Sequence, residues 1–518
     1  MIKGKLYPHQ KEARKKVHLR EYGALLMDMG TGKTVVVIDE LVDLFRDGRA
    51  CAAVILAPKA MYTQWLSELK KFLPDDVAAQ TDLFLWTGSK KTKKATEDVR
   101  AILYPEPKRL KIAVVNTEAC STMNGEKFLT VFTRSHNLVY MVVDECTDIK
   151  NHKARRTKVV TKAGGNARFR RILSGSLGYN SPLEYFAPFR FLHNGIFGGS
   201  YWSFRAQYAI LADQFMGGGR SVKVVTGYKN REQLRKTVDL HSYRILLEEA
   251  VDMPRKLYKT VAVTMGKEQA KHYKDMSENF MIRFDDGEVS TAQAVISQLL
   301  RLRQILSGHV VKDNPNGGYP VVETIPDATR VASLMTALEG VHGKVVIWAT
   351  YKQAVRDIIA ALQAEYGEDC AIEYTGDNSD REEDLQEWRT NSLCRFFVGT
   401  NCGSRGLNLT EARYMFRYNP EWDLDAVAQS EKRIHRIGQK ETCVYVDLVC
   451  PGTIDTHIIN LLNTKKANVN AVSGKDELRK SDNLETLKAI ATNDTAYLQD
   501  FAVQDAKSFF AADCEGAE

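Results

Sequence analysis

A glycine-rich stretch near the N-terminus, Leu25–Thr34 (LLMDMGTGKT), has the residue types and spacing that a bound polyphosphate requires. Glycines in such a loop let backbone N–H groups turn toward phosphate oxygens, and a helix that begins at the loop adds the positive end of its dipole. In this pattern Lys33 reaches the β- and γ-phosphates, and the hydroxyl of Thr34 ligates Mg²⁺. The predicted nucleotide-binding residues of the loop are Gly30, Thr31, Gly32, Lys33 and Thr34.

The flanking residues favour this interpretation over an ordinary glycine turn before a helix. Leu25 and Leu26 are typical of the end of a buried strand, and the apolar run Val35–Ile38 is typical of a helix that follows the loop. One position departs from the full pattern, which asks for a glycine where this chain has Met27.

Two adjacent carboxylates follow the unbroken apolar run Leu138–Val143, which predicts a buried parallel strand. Ligands of parallel α/β sheets bind beyond the carboxyl ends of the strands, so Asp144 and Glu145 are expected close to the nucleotide. One carboxylate there can hold Mg²⁺, and the next can polarise an attacking water. Because the pair lies downstream of a phosphate loop, we assign Asp144 to the metal and Glu145 to the catalytic base.

The stretch Gln429–Gln439 (QSEKRIHRIGQ) carries two arginines, Arg433 and Arg436, three positions apart. That spacing predicts that both lie on one face of a helix. Arginines so placed make poor core residues, and they suit arginine fingers that stabilise charge on the transferred phosphoryl group from across a cleft. The alternative is that both arginines bind nucleic acid or hold a helix in place.

Two further side chains are candidates for ligand contacts. Gln10 precedes the phosphate loop, and its amide can both donate to and accept from the edge of an adenine. Lys59 follows the short apolar strand Val54–Ala57 in a loop that faces outward, which makes it a candidate for contact with a nucleic-acid phosphate.

Length and composition bound the class of protein. At 518 residues the chain is too long for one hydrophobic core, so two or three domains are expected. No apolar run approaches the ~18 residues of a transmembrane helix, and the N-terminal residues lack the apolar centre of a signal peptide. Nine scattered cysteines without a C-x-x-C pair favour reduced thiols in the cytoplasm over a disulfide framework or a zinc site.

Charge is distributed unevenly along the chain. The whole chain has a net charge of +7, while residues 469–518 hold 5 basic and 10 acidic residues, so residues 1–468 carry +12. A basic body suits a polyanionic partner, and the acidic end is expected to stay clear of it. A surface charged for solubility is the alternative.

Short apolar strands alternate with helical runs in two successive sets, which predicts an α/β fold with two parallel sheets. Between the sets, residues 190–250 are rich in aromatics and lose strand alternation, which predicts a helical insertion with a glycine-rich loop at 217–219. The predicted segments are a first lobe at 1–189, a helical insertion at 190–290, a second lobe at 291–466 and an acidic, partly helical tail at 467–518.

Together these motifs resemble those of superfamily 2 helicases, and specifically the Swi/Snf-like ATPases. They occur in the family's order across residues 1–465: Gln10 in LYPHQ, DMGTGKT at 28–34, APKAMYTQWLSELKKF at 57–72, DECTDIKN at 144–151, LSGS at 173–176, LRQILSG at 302–308, GTNCGSRGLNL at 399–409 and QSEKRIHRIGQ at 429–439. Two positions depart from the family pattern. Cys146-Thr147 stand where the family has Ala or Gly followed by His. Ser176-Leu177 lack the proline that the family usually has at the end of the LSGS motif.

The resemblance implies two RecA-like lobes, with ATP in the cleft and DNA bound across both lobes. It implies ATP-driven translocation along a duplex, often without strand separation. On the matching motifs, Gly406 and Gln429 are expected to join Gln10 and the loop residues in binding the nucleotide. The residues expected to contact DNA are Lys59, Asn116, Thr400 and Arg405.

We therefore expect a DNA-dependent ATPase of a compact bacterial or phage type, which uses ATP and Mg²⁺ and acts on duplex or branched DNA. Its expected place is the bacterial or phage-infected host cytoplasm, in repair, recombination or replication. One alternative is a strand-separating helicase, for which no wedge hairpin is legible in the sequence. Another is an ATP-gated DNA-binding or annealing module. A P-loop kinase or metabolic ATPase is opposed by the second lobe and its arginines.

Overall fold

The computed structural model describes residues 2–18, 20–59, 61–88, 92–215, 221–285, 292–312, 321–377, 381–400 and 407–473. The strands are β1 (Tyr22–Met27), β2 (Ala52–Ala57), β3 (Thr81–Leu85), β4 (Leu110–Asn116), β5 (Val139–Val143), β6 (Phe169–Leu173), β7 (Ala209–Phe215), β8 (Ser221–Tyr228), β9 (Ser242–Ile245), β10 (Lys256–Ala262), β11 (His309–Lys312), β12 (Val321–Thr324), β13 (Lys344–Ala349), β14 (Ala371–Tyr374), β15 (Phe396–Thr400), β16 (Ala412–Arg417) and β17 (Cys443–Val449).

The α-helices are α1 (Pro8–His18), α2 (Lys33–Arg46), α3 (Tyr62–Phe72), α4 (Asp75–Ala78), α5 (Lys93–Leu103), α6 (Met123–Ser135), α7 (Arg155–Gly164), α8 (Phe186–Leu192), α9 (Tyr201–Tyr208), α10 (Arg231–His241), α11 (Leu247–Ala250), α12 (Lys267–Asp285), α13 (Ala292–Leu306), α14 (Arg330–Leu338), α15 (Lys352–Tyr366), α16 (Arg381–Thr390), α17 (Leu424–Ile434) and α18 (Ile454–Ser473). Short 3-10 helices lie at Thr117–Ser121, Cys146–Ile149, Pro182–Tyr185 and Glu368–Cys370. Within the described ranges, none of the helices is both long and apolar enough to cross a membrane.

The first sheet has seven strands in the order β3-β4-β2-β5-β6-β1-β9, and all neighbouring strands run parallel. Its central strands are largely aliphatic and buried along their length, as expected for parallel strands that helices cover on both faces. In the register of the sheet, Leu25 pairs with Leu173, and Val143 pairs with both Leu56 and Ile172. The residues that follow β1, β2, β5 and β6 therefore meet at one edge of the sheet.

The core of this unit lies on both faces of the sheet because successive side chains of a strand point to opposite sides. On β1, Ala24 and Leu26 pack into a cluster with residues of α6, α7 and α8. Leu25 and Met27 pack into the opposite cluster with residues of α2 and α3. The alternation on one short strand thus fixes helices on both sides of the sheet.

The second sheet has six parallel strands in the order β10-β17-β16-β13-β15-β14. Residues of α14 and α15 cover one face, and a cluster around Trp348 and Trp388 covers the other. Two small sheets complete the described structure: β7 pairs with β8, and β11 runs antiparallel to β12. The predicted α/β fold with two parallel sheets is confirmed.

The chain divides into two compact units. One comprises the chain through Ile210 together with Gly227–Met253, and the other comprises Pro254–Lys466 together with Leu211–Thr226. The stretch predicted as a helical insertion, 190–290, contains helices, but it also contains an edge strand of each large sheet, β9 and β10. Strand β10 is mostly exposed and carries lysines, as protected edge strands do, so its sequence lacks the apolar run of a buried strand.

The predicted glycine-rich loop at 217–219 and most of the acidic tail lie outside the described residues. The boundaries of the four segments stay predictions.

A buried ion pair connects four elements of the first unit. Arg171 on β6 and Glu40 on α2 are both fully buried, and the guanidinium donates two hydrogen bonds to the carboxylate at 2.9 and 2.6 Å. The hydroxyl of Tyr140 on β5 donates another to Glu40 at 2.7 Å. Arg171 also donates to the carbonyls of Val17 and Arg20 at the C-terminal end of α1, at 2.9 and 2.8 Å. The pair thereby fixes α1, α2, β5 and β6 to one another.

A similar pair lies in the second unit. Arg330 on α14 and Asp455 on α18 are 1% and 2% exposed, and they form a direct ion pair. Arg330 also donates to the carbonyl of Tyr418 at 2.6 Å, and Asp455 accepts from the backbone N–H of Cys450 at 3.1 Å.

We expect the substitution Arg171→Leu to destabilise the first unit strongly. It leaves the Glu40 carboxylate buried without its cation, and removal of one partner of a buried pair typically costs about 3–5 kcal/mol of unfolding free energy. Urea denaturation, followed by circular dichroism and by tryptophan fluorescence, measures the loss.

The matched control is Arg168→Ala, which removes an ion pair with Glu21 whose side chains are 57% and 48% exposed. Exposed pairs contribute about 0–1 kcal/mol, so this variant is expected to stay close to the wild type. Equal losses in the two variants would contradict the structural role of the buried pair.

Candidate active site

The predicted phosphate loop connects the end of β1 to the first turn of α2. Gly30 and Gly32 both have left-handed backbones, with φ of 84° and 83°. The left-handed backbone favours glycine at position 32, and a Cβ there would lie 2.2 Å from Nε2 of Gln10 and would displace that amide from the loop. Among the described residues, no side chain caps the N-terminus of α2, so its first backbone N–H groups are available to an anion.

Lys33, the first residue of α2, turns its ammonium back over the loop. Nζ donates to the carbonyls of Met27 at 2.9 Å and Asp28 at 3.3 Å, and only 8% of the residue is exposed. The hydroxyl of Thr31 donates to the same Asp28 carbonyl at 2.6 Å. Met27 stands where the full pattern has glycine. It is the last residue of β1, and its side chain packs in the core, so this position has strand conformation and does not require glycine.

The first turn of α1 holds the loop from its other side. Nε2 of Gln10 donates to the carbonyl of Thr31 at 3.0 Å, and the imidazole Nε2 of His9 donates to the same carbonyl at 2.9 Å. Oε1 of Gln10 accepts from the backbone N–H of Tyr7 at 3.0 Å. The Nε2 and Oε1 atoms of Gln10 can each form one more hydrogen bond, which leaves room for the edge of an adenine. Contact of Gln10 with adenine stays a prediction. The contact of His9 with the loop is not predicted from the sequence, although His9 stands beside Gln10 in LYPHQ.

Asp144 follows β5, and its carboxylate is buried within the electrostatic reach of Lys33. Oδ1 accepts from the backbone N–H of Glu145 at 3.0 Å, and Oδ2 accepts from the indole Nε1 of Trp65 at 2.8 Å. Burial raises the pKa of Asp144, while the positive charge of Lys33 and the bond from Trp65 act in the opposite direction. Trp65 on α3 packs in the core. Its hydrogen bond to the carboxylate of Asp144 is not predicted from the sequence.

The backbone of Glu145 is left-handed, with φ of 45° and ψ of 63°, which is rare for a residue other than glycine. The other described non-glycine residues with positive φ, Lys108 and Asn230, are exposed, whereas Glu145 is 5% exposed. Such strain costs about 1–3 kcal/mol and persists where the surrounding structure over-determines the backbone, often at functional sites. The strain makes Glu145 a functional candidate independently of its sequence motif.

The residues predicted to hold Mg²⁺ offer oxygen donors of the kind the ion prefers. They are the hydroxyl of Thr34, which is partly exposed on the first turn of α2, and the carboxylate of Asp144. Mg²⁺ commonly takes one or two protein ligands and completes its shell with waters and substrate phosphates. In the described part of the chain, no group of three or more His, Cys, Asp or Glu side chains could hold a metal ion. The donor set fits Mg²⁺ bound together with a phosphate.

Gly175, which follows β6 in the LSGS motif, lies against the phosphate loop, and this contact is not predicted from the sequence. A Cβ at this position would lie 3.2 Å from three backbone atoms of the loop, on Met27, Asp28 and Met29. Because these neighbours are backbone atoms, which cannot move aside as a side chain can, a larger residue here would crowd the loop. The preceding Ser174 is fully buried, and its Oγ accepts from the backbone N–H of Ser176 at 3.1 Å, which closes the turn.

Two residues predicted to contact DNA lie at the same edge of the first sheet. Lys59 is exposed beyond the end of β2, and Asn116 is the last residue of β4, where it pairs with Ala57. In the second unit Thr400 ends β15 and is 9% exposed. Arg405, predicted to contact DNA, and Gly406, predicted to bind the nucleotide, lie outside the described residues.

The prediction that Arg433 and Arg436 share one helix face is wrong. Helix α17 ends at Ile434, so Arg436 lies in the bend that follows it. His435, the residue that follows the helix, donates from its imidazole Nε2 to the carbonyl of Pro254 at 2.8 Å. That contact spans 181 residues of sequence, so a local pattern does not reveal it.

The expectation that Arg433 makes a poor core residue is also wrong. It is 2% exposed, and its Nη1 donates to the carbonyl of Leu407 at 3.4 Å. Gln429, on the same helix, is 7% exposed and donates from Nε2 to Asp425 at 3.0 Å. The phosphoryl-stabilising role of Arg433 and Arg436 and the nucleotide-binding role of Gln429 stay predictions.

Comparison with known families agrees with the site. A model of the SNF2-related domain matches residues 11–309, and a model of the helicase conserved C-terminal domain matches residues 329–438. A solved structure of the Sulfolobus solfataricus SWI2/SNF2 ATPase core in complex with dsDNA is 21% identical and covers 91% of this chain and 94% of that chain. Its TM-score is 0.39, which is too low to support an argument about this chain.

Two curated relatives match along most of the chain. An uncharacterized ATP-dependent helicase of Mycoplasma genitalium, MG018, is 23% identical over 89% of this chain and 41% of its own length. The putative ATP-dependent helicase/translocase YwqA of Bacillus subtilis is 25% identical over 90% of this chain and 48% of its own length. The chain thus spans less than half the length of these relatives.

The family resemblance of the sequence motifs is thereby confirmed. Since the model of the SNF2-related domain matches more than half of the residues of this chain, the chain belongs to the family of proteins that contain this domain.

Proposed function

We propose that this chain is a DNA-dependent ATPase of DNA repair, recombination or replication, which converts ATP hydrolysis into translocation along duplex or branched DNA. One observation carries the proposal: the phosphate loop with Lys33 follows β1, the acidic pair follows β5, and the register of the parallel sheet brings the ends of both strands to one edge. A cation for phosphates and a carboxylate for a metal therefore lie at the same edge of the first sheet.

The loop is suited to a triphosphate by its own hydrogen bonding. The ammonium of Lys33 now donates to two carbonyls of the loop, those of Met27 and Asp28. The bonds to the carbonyls already have a charged donor, and a phosphate oxygen adds a negative charge on the acceptor where a carbonyl carries only a partial one. The ammonium is therefore expected to exchange these carbonyls for the β- and γ-phosphates when ATP binds.

The acidic pair divides two tasks between adjacent residues. Trp65 and the backbone N–H of Glu145 orient the carboxylate of Asp144, which together with Thr34 would hold Mg²⁺. When bound, Mg²⁺ neutralises charge that develops on the phosphate oxygens. We assign Glu145 to accept the proton of the attacking water, and its strained backbone supports a role that requires a fixed position.

DNA is the proposed partner because a basic body and an exposed lysine accompany the site. Residues 1–468 carry a net charge of +12, which favours a polyanion. Lys59 is exposed at the sheet edge that holds the phosphate loop and the acidic pair, and the neighbouring strand ends at Asn116. DNA phosphates bound at that edge would lie next to the groups that hydrolyse ATP.

The proposal is tested by the rate of ATP hydrolysis with no nucleic acid, single-stranded DNA, duplex DNA, forked DNA and RNA. We expect duplex or forked DNA to stimulate the rate most. Displacement of a triplex-forming strand from a duplex then measures translocation. Hydrolysis that no DNA stimulates would contradict the proposal, and stimulation without strand displacement would favour an ATP-gated DNA-binding module.

Lys33→Ala is expected to abolish ATP hydrolysis, because no other described residue of the loop brings an ammonium to the phosphates. Steady-state turnover at saturating duplex DNA measures the loss, and circular dichroism checks the fold. Lys11→Ala, at an exposed position of α1, is the matched control and should keep wild-type turnover. Wild-type turnover in the Lys33 variant would remove the phosphate-loop assignment.

Glu145→Gln is expected to bind ATP and to hydrolyse it about 10²–10⁴-fold more slowly, because the amide keeps the shape of the side chain and loses the base. Calorimetric titration with ATP and single-turnover hydrolysis separate binding from chemistry. Glu97→Gln, at an exposed position of α5, is the control. A folded Glu145 variant that fails to bind ATP would contradict the division of roles within the acidic pair.

A further inference from the structure

Helix α9 presents an exposed tryptophan beside two cations. Trp202 is 58% exposed, and Nζ of Lys153 and Cζ of Arg205 each lie 5.6 Å from the centre of its ring. Phe204 and Tyr208, on the same helix, are buried in the core of the first unit. The helix is thus anchored by its inner aromatics, while Trp202 faces solvent.

Neighbouring aromatic rings fix the orientation of the indole. Tyr201 stacks on His152 with ring centres 3.6 Å apart and planes inclined by 19°. The edge of this stack faces Trp202, with centres 5.6 and 6.5 Å away and planes inclined by 69° and 80°. Phe186 supports Tyr201 from the core side at 5.5 Å. An indole held in this way is preorganised as a platform.

The potential around the platform is positive. The pKa of His152 is lowered first by its burial and then by the charges of three neighbouring cations, which are Lys153, Arg190 and Lys158. Arg205 adds another cation beside the indole. A polyanion is therefore the ligand whose charge complements this surface.

The platform is connected to the proposed active site through the segment of chain that follows β5. His152 and Lys153 belong to the segment that leaves the carboxyl end of β5, shortly after Glu145. An ion pair of 2.8 Å between Lys150 and Glu184 ties this segment to the residues that precede α8. DNA, the polyanion of the proposed function, is therefore the ligand that we assign to this surface.

We propose that Trp202 stacks on an unpaired base of the bound DNA, while Lys153 and Arg205 contact the adjoining phosphates. The inference rests on the proposed function and narrows its substrate to DNA with unpaired bases, such as a fork or a gapped duplex. The bases of an intact duplex are already stacked on both faces, so they offer no free face to an indole. Binding to the phosphates of the DNA backbone alone would require only Lys153 and Arg205, and not an exposed indole.

Replacement of a cation by a base on the indole ring of Trp202 is favourable. A cation over an exposed aromatic ring typically strengthens an interaction about 2–5-fold, whereas a base stacked on an aromatic side chain strengthens binding about 5–150-fold. A base stacked on one face of the indole therefore contributes more to binding than the cation–π contact that it displaces. The displaced cation can then contact a phosphate.

The test compares Trp202→Ala and Trp202→Phe with the wild type on two DNA ligands. One is a fork with unpaired arms, and the other is a blunt duplex with the same number of phosphates. Fluorescence anisotropy without ATP measures both dissociation constants at one salt concentration. A 2-aminopurine base in one arm reports stacking directly, because its emission is quenched when it stacks. Tyr104→Ala, an aromatic that is 70% exposed elsewhere in the first unit, is the control.

We expect Trp202→Ala to weaken binding to the fork about 5–150-fold, to leave the duplex within about 2-fold, and to abolish the quenching. Trp202→Phe is expected to restore most of the affinity and the quenching, since phenyl rings also stack. An equal loss on both ligands, or no loss on the fork, would overturn the inference.

The two proposals fail in different experiments. Hydrolysis that no DNA stimulates contradicts the ATPase proposal, while a fork preference that depends on Trp202 would still establish the platform. Conversely, if DNA stimulates hydrolysis and the Trp202→Ala variant binds the fork normally, the ATPase proposal stands and the proposal for Trp202 is overturned.

Discussion

The buried pair of Arg171 and Glu40 is the interaction on which the first unit depends. The guanidinium and the carboxylate satisfy each other inside the core, and the remaining donors of Arg171 reach backbone carbonyls at the end of α1. The elements joined by this pair are those that carry the site: α1 carries Gln10, α2 carries Lys33, β5 leads to Asp144 and β6 leads to Gly175. A charge pair remote from the phosphate loop thus sets the relative positions of the loop, the acidic pair and their supports.

The site at the sheet edge is organised by charges that balance one another at close range. Burial by itself would favour the protonated form of Asp144, and the nearby ammonium of Lys33 and the indole of Trp65 act against it. Lys33 in turn is held by carbonyl dipoles of its own loop. Each of these interactions can give way to a stronger one when a triphosphate and a cation arrive, because the ligand brings the charges that the protein groups lack.

Close backbone approach is the second constraint at this edge. Gly32 lies against Gln10, Gly175 lies against the loop backbone, and Glu145 has a left-handed backbone although it carries a side chain. Packing of this density leaves little freedom in the loop. It is consistent with a site whose donors are fixed before the ligand binds, which limits the entropy lost on binding.

Much of this arrangement was determined by the sequence itself. The apolar runs predict the strands up to Met27, Ala57 and Val143, because an unbroken apolar run is a local property of the sequence. The residues after those strands then share one edge of a parallel sheet. The glycines at 30 and 32 fix the loop, since left-handed backbone is cheap only for glycine. The loop, the acidic pair and the α/β fold could therefore be predicted.

Only the tertiary structure decided which other groups meet these residues. The hydrogen bond from Trp65 to Asp144, the approach of Gly175 to the loop and the contact of His435 with Pro254 all depend on partners far away in sequence. A helical pattern around Arg433 and Arg436 cannot show that His435 finds a carbonyl acceptor at Pro254, nor that Arg433 is buried. Edge strands such as β10 also escape prediction, because exposure removes the apolar pattern that marks a buried strand. Local sequence sets backbone conformation and periodicity, whereas contacts across the chain exist only once the fold has formed.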